Sequence, residues 1–325
     1  GFEEQSQGYD QRQGFVRMKE YESIVIGGGP AGITAALYLL RSGASIAWIE
    51  KMAPGGQVLL TDRVDNYPGF PEGIKGYELV DLMAKHLDGF SYDKIMDEVQ
   101  AIEPGYGRNR VLVGDEWIVG KTVVICSGAE HRKLGLPGEI EFAGRGVSYC
   151  GVCDGQFFRD QVVACIGGGD TALEDSLYLS GVVKKVYLIH RRDAFRGSKV
   201  YQDKVMAQSN IEVLFDTRPK EILGEQQVNG LRVEHVKTGE SQTLDVQGVF
   251  VFVGITPQVA FLPESLEQDK AGFVVTDTEM RTNLEGIFAA GDIRSKRCWQ
   301  ISTAVGDGAA AGHSAHLFLN EMSDE

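Results

Sequence analysis

Apolar residues along this chain gather into short, nearly unbroken runs set between glycine-rich turns. That is the pattern of strands buried on both faces of a parallel sheet, not of half-exposed alternating strands. Ser23–Ile26 is the first such run, and it leads straight into Gly27-Gly28-Gly29-Pro30-Ala31-Gly32. Ile33–Leu40 then continues as a helix that Gly43 stops, and Ser45–Ile49 predicts a second strand ending at Glu50. Further buried strands are expected at Thr122–Ala129, Val246–Gly254 and Gly286–Asp292, and a helix at Leu79–Leu87. Ile301–Phe318 predicts a closing helix whose many small residues allow close approach to a neighbour or cofactor. Pro54–Gly76 has no period and is rich in Gly, Pro, Asn and Asp, so a long functional loop is expected there.

The opening pattern returns 140 residues later. Val162–Ile166 is a strand, Gly167-x-Gly169-x-x-Ala172 the loop, Leu177–Leu179 part of a helix, and Lys185–Ile189 the next strand. From first glycine to strand end the distance is 23 residues in both units, Gly27 to Glu50 and Gly167 to His190. The expected class is therefore α/β, with two Rossmann-like dinucleotide-binding domains. In such a unit the glycines let backbone approach a pyrophosphate, and the helix N-terminus stabilises its charge. Candidate contacts are Gly27, Gly29, Pro30, Ala31 and Gly32 in the first loop, and Gly167, Gly169, Asp170 and Thr171 in the second. Glu50 suits a free ribose diol, as in FAD or NAD. His190 stands in its place in the second unit, followed by Arg191 and Arg192, with Arg196 close behind. Guanidinium groups there match a 2′-phosphate, so the second unit suits NADP.

Between the two loops lies Cys150-Gly151-Val152-Cys153, followed by Asp154. A Cys-x-x-Cys pair near β–α–β units reads as a redox dithiol, although a zinc site is an alternative for that spacing. His313 and His316 could complete such a site only in principle, since their spacing is one residue short, and a solvated helix face explains them better. Cys126 and Cys165 fall inside apolar runs and are expected in the core; Cys298 has no assigned role.

Composition narrows the class. A length of 325 residues fits two or three domains, and 43% hydrophobic with 24% charged residues fits a globular chain with a full core. A net charge of −14 argues against nucleic acid or an anionic membrane as partner. Residues 1–17 carry no apolar segment and read as a disordered extension or expression remnant, not a signal peptide. An odd set of five cysteines without a secreted spacing fits a reducing, cytoplasmic compartment.

In their order along the chain, Gly27–Gly32, Gly55-Gly56-Gln57, Asn66-Tyr67-Pro68-Gly69, Cys150–Gly155, Gly167–Ala172, His190-Arg191-Arg192 with Arg196, and Gly291-Asp292 resemble the low-molecular-weight, bacterial-type thioredoxin reductases, over residues 19–320. The resemblance implies FAD on a discontinuous domain, residues 18–133 and 258–325, and NADPH on a dithiol-bearing domain inserted at 134–257. It implies flavin contacts from Gly56, Gln57, Asn66, Asp292, Gln300 and Ile301. It also implies that Cys153 faces the flavin, Cys150 attacks the disulfide of thioredoxin, Asp154 is a general acid, and the chain forms a homodimer. Trp299 departs from the family, which commonly has Arg before that Gln. The competing readings are the same electron path to a glutaredoxin-like or peroxidase-linked acceptor, and a non-enzymatic zinc- or nucleotide-binding protein.

Overall fold

A computed structural model of the protein describes residues 18–61 and 63–324, so the expectation for residues 1–17 lies outside the described residues. β1 (Glu20–Ile26), α1 (Pro30–Arg41) and β2 (Ile46–Ile49) make the first β–α–β unit, with Ser23–Ile26 in parallel register on Ile46–Ile49. The predicted loop at 54–76 contains a 3₁₀ turn at Gly56–Leu60, and α2 (Gly76–Lys85) follows it. β3 (Asp93–Ile95) adds to the edge of β2. β4 (Val99–Glu103) and β5 (Asn109–Val113) then form an antiparallel arm on β6 (Glu116–Ile125), which the apolar runs did not announce.

The chain leaves this sheet through β7 (Ala129–His131) and enters a second unit. There β8 (Val147–Ser148) precedes the short helix α3 (Gly151–Asp154). β9 (Val162–Gly167), α4 (Asp170–Ser180) and β10 (Lys185–Ile189) repeat the first β–α–β unit, as the 23-residue spacing predicts. α5 (Lys199–Met206) and β11 (Ile211–Leu214) follow. β12 (Thr217–Gly224), β13 (Val228–His235) and β14 (Ser241–Leu244) form a separate antiparallel sheet, and β15 (Gly248–Phe252) returns to the parallel one, whose order is β11-β10-β9-β15-β8.

β16 (Ile255–Pro257) leads back and pairs antiparallel with β7. β17 (Ile287–Ala289) then joins the first sheet beside β6, and α6 (Ile301–Asp324) packs across α1. Leu134–Gly138 follows β7 at the start of the second unit. That segment is a turn whose N–H groups at Leu134 and Gly135 bond the buried Glu139 carboxylate, and Gly138 packs on Ile222 of β12. The crossing itself lies just upstream, in the β7–β16 ribbon. Gly254 immediately precedes the returning strand of that ribbon.

Glycine explains how α6 approaches α1. A Cβ on Gly308 would stand 2.2 Å from the Ala31 carbonyl oxygen, and one on Gly312 2.8 Å from that of Ala35. At Gly306, two residues before Gly308 and on the exposed side of α6, a Cβ would meet nothing within 4 Å. Gly308→Val is therefore expected to destabilise by about 1–3 kcal/mol through overpacking. Gly306→Ala should be neutral or stabilise by up to about 1 kcal/mol. Urea unfolding of both variants checks the contrast.

Candidate active site

The two glycine loops separate glycines that the protein itself requires from glycines that it does not. Gly27 has φ +109°, and a Cβ there would lie 2.2 Å from the Cys126 carbonyl oxygen; one on Gly32 would lie 1.9 Å from that of Gly27. A Cβ on Gly167 would meet the Phe252 oxygen at 2.5 Å and the Ala172 methyl at 2.6 Å. The middle glycines differ. Gly29 and Gly169 have ordinary extended backbone, and a Cβ at either would meet nothing within 4 Å. Each is also the N-cap of its helix, α1 or α4, with no side chain bonding the free N–H groups of the first turn. An uncapped helix N-terminus behind an unexplained glycine is what a pyrophosphate needs. The residues present fit two dinucleotides.

The strand ends complete the loops. Glu50 Oε2 accepts the Gly28 N–H at 2.6 Å, and its Oε1 accepts that of Met52 at 2.9 Å. Gly55 N–H bonds the Gly28 carbonyl at 2.7 Å, which brings Gly56 against Gly29, with Gln57 exposed beside it. In the second unit the His190 ring fills the place over Gly168. His190 is buried with Nε2 unpartnered, and burial lowers its proton affinity, so it is a neutral ring rather than a phosphate-binding cation. The charge comes from Arg191, Arg192 and Arg196, all exposed. Arg196 and Gly197 donate backbone N–H bonds to the Gly168 carbonyl, and Asp170 Oδ1 accepts that of Ser198, so this loop is seated on the glycine loop. Thr171 is exposed at the start of α4.

Cys150 and Cys153 are joined as a disulfide. Cys150 caps α3, Gly151 N–H bonds Asp175 Oδ2 of α4 at 2.9 Å, and Asp154 accepts from Ser148 at 2.6 Å. Burial raises the proton affinity of Asp175, and the Gly151 bond opposes that. Both sulfurs are half-buried where the inserted unit meets α6. Gln300 Nε2 stands 3.9 Å from Cys150 Sγ and 4.0 Å from Cys153 Sγ, and Gln300 Oε1 takes a bond from Asn66 Nδ2 at 3.0 Å. A disulfide sulfur has no proton to give, so its 3.9 Å approach to Gln300 Oε1 is contact only. Ile301 packs into the small core under Tyr67 and Phe70. Asp292, beside Gly291, has its proton affinity raised by burial and opposed by Lys296 at 3.2 Å, although that ion pair lacks hydrogen-bond geometry at Oδ1.

The remaining cysteines behave as core or surface residues. Cys126 and Cys165 are fully buried; burial raises both thiols, Cys165 to about 12, which leaves them unreactive. Cys298 is exposed. His313 is exposed on α6. Among the described residues no cluster of three or more His, Cys, Asp or Glu could hold a metal, and no helix is long and apolar enough to cross a membrane. Sequence reasoning missed Ser148, Asp175 and Thr303. None belongs to a spacing motif, and only their position beside the dithiol or the α6 start marks them.

Two dinucleotide loops, one of them on the same unit as a closed dithiol, define a flavin- and nicotinamide-dependent disulfide oxidoreductase. Residues 21–308 match the family model described as pyridine nucleotide-disulphide oxidoreductase, and the chain belongs to that family. Within it the chain falls among the low-molecular-weight thioredoxin reductases. It is 41% identical over 305 residues to a protein of Treponema pallidum named thioredoxin reductase, covering 94% of this chain and 99% of that one. The thioredoxin reductase structure from Streptococcus pyogenes superimposes with a TM-score of 0.89 at 44% identity, over 93% of this chain and 99% of that one. A Lactococcus lactis thioredoxin reductase in its FR conformation, 42% identical over 93% of this chain and 99% of its own, gives only 0.64.

Gly29→Val and Gly169→Val are expected to fold with melting curves close to the parent, because neither side chain meets protein. Loss of a glycine N-cap costs under about 1 kcal/mol. Each should lose one dinucleotide, the first loop's ligand with Gly29→Val and the second's with Gly169→Val. Thermal melts alongside equilibrium dialysis with each nucleotide check this; retention of both ligands would falsify the assignment.

Proposed function

We propose that this chain is an NADPH-dependent thioredoxin-disulfide reductase, with FAD on the first glycine loop and NADPH on the second. The observation that carries the reading is the closed Cys150–Cys153 disulfide, set within 4.0 Å of Gln300 at the start of α6 in a chain with two dinucleotide loops. Residues 18–133 and 258–325 would hold FAD and 134–257 NADPH, as a cytoplasmic homodimer. Bound FAD supplies the conversion between hydride chemistry and the electron pair that opens a disulfide. Glu50 holds the ribose, while Gly56, Gln57, Asn66, Asp292, Gln300 and Ile301 line the flavin side. Arg191, Arg192 and Arg196 hold the 2′-phosphate; neutral His190 shapes the loop under it. Cys153 faces the flavin, Cys150 attacks thioredoxin, and Asp154 moves the proton.

Cys150 is half-buried against Gln300. Serving a protein disulfide is expected to need a movement of the inserted unit that frees it. We place the required movement in the β7–β16 ribbon. It is bounded by Gly128 (φ +72°) and Gly254 (φ +104°), conformations that other residues adopt at a cost. The TM-score difference between the two relatives, at nearly equal identity and coverage, supports more than one arrangement of the units in this family.

Separate Cys150→Ser and Cys153→Ser variants test the roles. Cys153→Ser should trap a mixed disulfide with thioredoxin, Cys150→Ser should not, and neither should turn over. Normal turnover by either variant sinks the dithiol mechanism, and a panel of thioredoxin- and glutaredoxin-like proteins identifies the acceptor. For the coenzyme, two charge-assisted contacts at about 1.5–3 kcal/mol each imply roughly 10²–10⁴-fold preference for NADPH. Arg191→Ala/Arg192→Ala should erase it, read as the ratio of kcat/KM for NADPH and NADH. Equal values in the parent protein would refute the assignment.

A further inference from the structure

Ser148 ends β8 and is 5% exposed. Its Oγ accepts the Cys150 N–H at 3.1 Å and donates to Asp154 Oδ2 at 2.6 Å. The Cys150 carbonyl oxygen lies 3.2 Å from the same hydroxyl. One hydroxyl has one proton, so it cannot donate to Asp154 and to that carbonyl together. A charged Asp154 takes it, because the charge-assisted bond is the stronger. A protonated Asp154 reverses the pair: its O–H donates to Ser148 Oγ, and the hydroxyl turns to the Cys150 carbonyl. Both arrangements use positions already present, and only a hydroxyl serves both.

We infer that Ser148 is a positioning residue for the proton transfers at the dithiol, holding Asp154 beside Cys150 in both protonation states. The inference rests on the proposed thioredoxin reaction. There Asp154 takes the Cys150 proton, and the thiolate attacks the substrate disulfide, forming one S–S bond and releasing one substrate thiolate. Asp154 returns the proton to a departing sulfur. Cys153, giving up its own proton to the second departing thiolate, attacks Cys150 and closes the enzyme disulfide. Two electrons and two protons pass from enzyme dithiol to substrate, and Asp154 ends as it began. It must therefore be held in place both charged and neutral.

Other polar groups around the turn keep their own partners. Asp175 of α4 bonds Gly151 N–H, and Tyr178 of the same helix packs against Gly155. Tyr149 donates to Glu139, which also bonds the 134–135 backbone, and Gln300 faces the sulfurs from α6.

The test uses the holoenzyme with NADPH and oxidised thioredoxin. Ser148→Ala should lower kcat about ten- to hundredfold, part of what a general acid contributes, with KM for thioredoxin unchanged. Charged Asp154 loses a donor, so the acidic limb of the pH profile, below which Asp154 is protonated and cannot take the Cys150 proton, should move to higher pH. Ser148→Thr, which keeps the hydroxyl, should restore both. A readout without turnover is iodoacetamide alkylation of Cys150 in dithiothreitol-reduced protein, which should slow near neutral pH in Ser148→Ala. On an Asp154→Asn background Ser148→Ala should add nothing further. An unchanged pH profile in Ser148→Ala, or losses that multiply with Asp154→Asn, overturns the role. Full activity of Asp154→Asn alone instead overturns the proposed proton carrier, and the two failures are distinct.

Discussion

Two short strands carry the whole inserted unit, and that constraint governs the rest of the molecule. β7 and β16 pair over Ala129–His131 and Ile255–Pro257, and Arg132 Nε donates to Thr256 Oγ1 at 2.9 Å across them. Outgoing and returning chain are thus tied side by side. A tether of this kind resists sliding, since backbone bonds between the strands would break first. The dithiol and the second glycine loop sit on one side of the tether, and the first loop with α6 on the other. Under the proposed function one disulfide serves both α6 and an outside protein, and movement of the whole unit is the proposed way to reach both.

The repeated β–α–β unit shows how one backbone plan takes two electrostatic roles. At the same place in each unit a side chain from the second strand rests on the middle of the glycine loop. In the first it is Glu50, bonding Gly28 N–H at 2.6 Å; in the second it is the His190 ring, tilted against Phe195 at 5.5 Å. A carboxylate there accepts hydroxyl donors and repels phosphate. A neutral imidazole does neither, and leaves the sign of the site to the exposed arginines beyond it. Under the proposed function, one exchanged residue and its three basic neighbours would set the different nucleotide preference of the second loop.

Much of this was legible in the chain before the structure. The strand runs, both loops and the small-residue helix fall where apolar patterning puts them, since buried parallel strands and tight glycine turns are dictated by local sequence. The β4–β5 arm and the β12–β14 sheet were not read, because their half-exposed strands mix polar and apolar residues without a long run. The turn at 134–138 gives no sign of its rigidity in the sequence. Its glycines and proline signal a break in regular structure, but its rigidity comes from Glu139, 1% exposed, whose carboxylate collects the N–H groups. For the same reason Ser148 and Asp175 were invisible: each acts through a contact with a residue on another element or turn, which no spacing encodes.

Trp299 is the departure from the family pattern, and its surroundings are apolar on the side that the Phe273 ring covers. Its ring packs on Phe273 at 5.5 Å, while charge is supplied just upstream and across the helix. Arg294 pairs with Asp307 at 2.8 Å, and Lys296 reaches Asp307 at 3.1 Å and Asp292 at 3.2 Å, so two cations balance two carboxylates. The Arg294, Lys296 and Asp307 side chains are only 11–14% exposed. Removing one member of a buried pair leaves the other uncompensated and costs more than the pair contributes, so such a set is rigid. Its rigidity reaches the sulfurs. Lys296 lies 3.4 Å from Thr303 Oγ1, which accepts the Gln300 N–H at 3.2 Å at the start of α6. The Gln300 side chain then spans Asn66 and the disulfide. Trp299 takes no part in that set, and the orientation of Gln300 rests on Thr303 and Asn66.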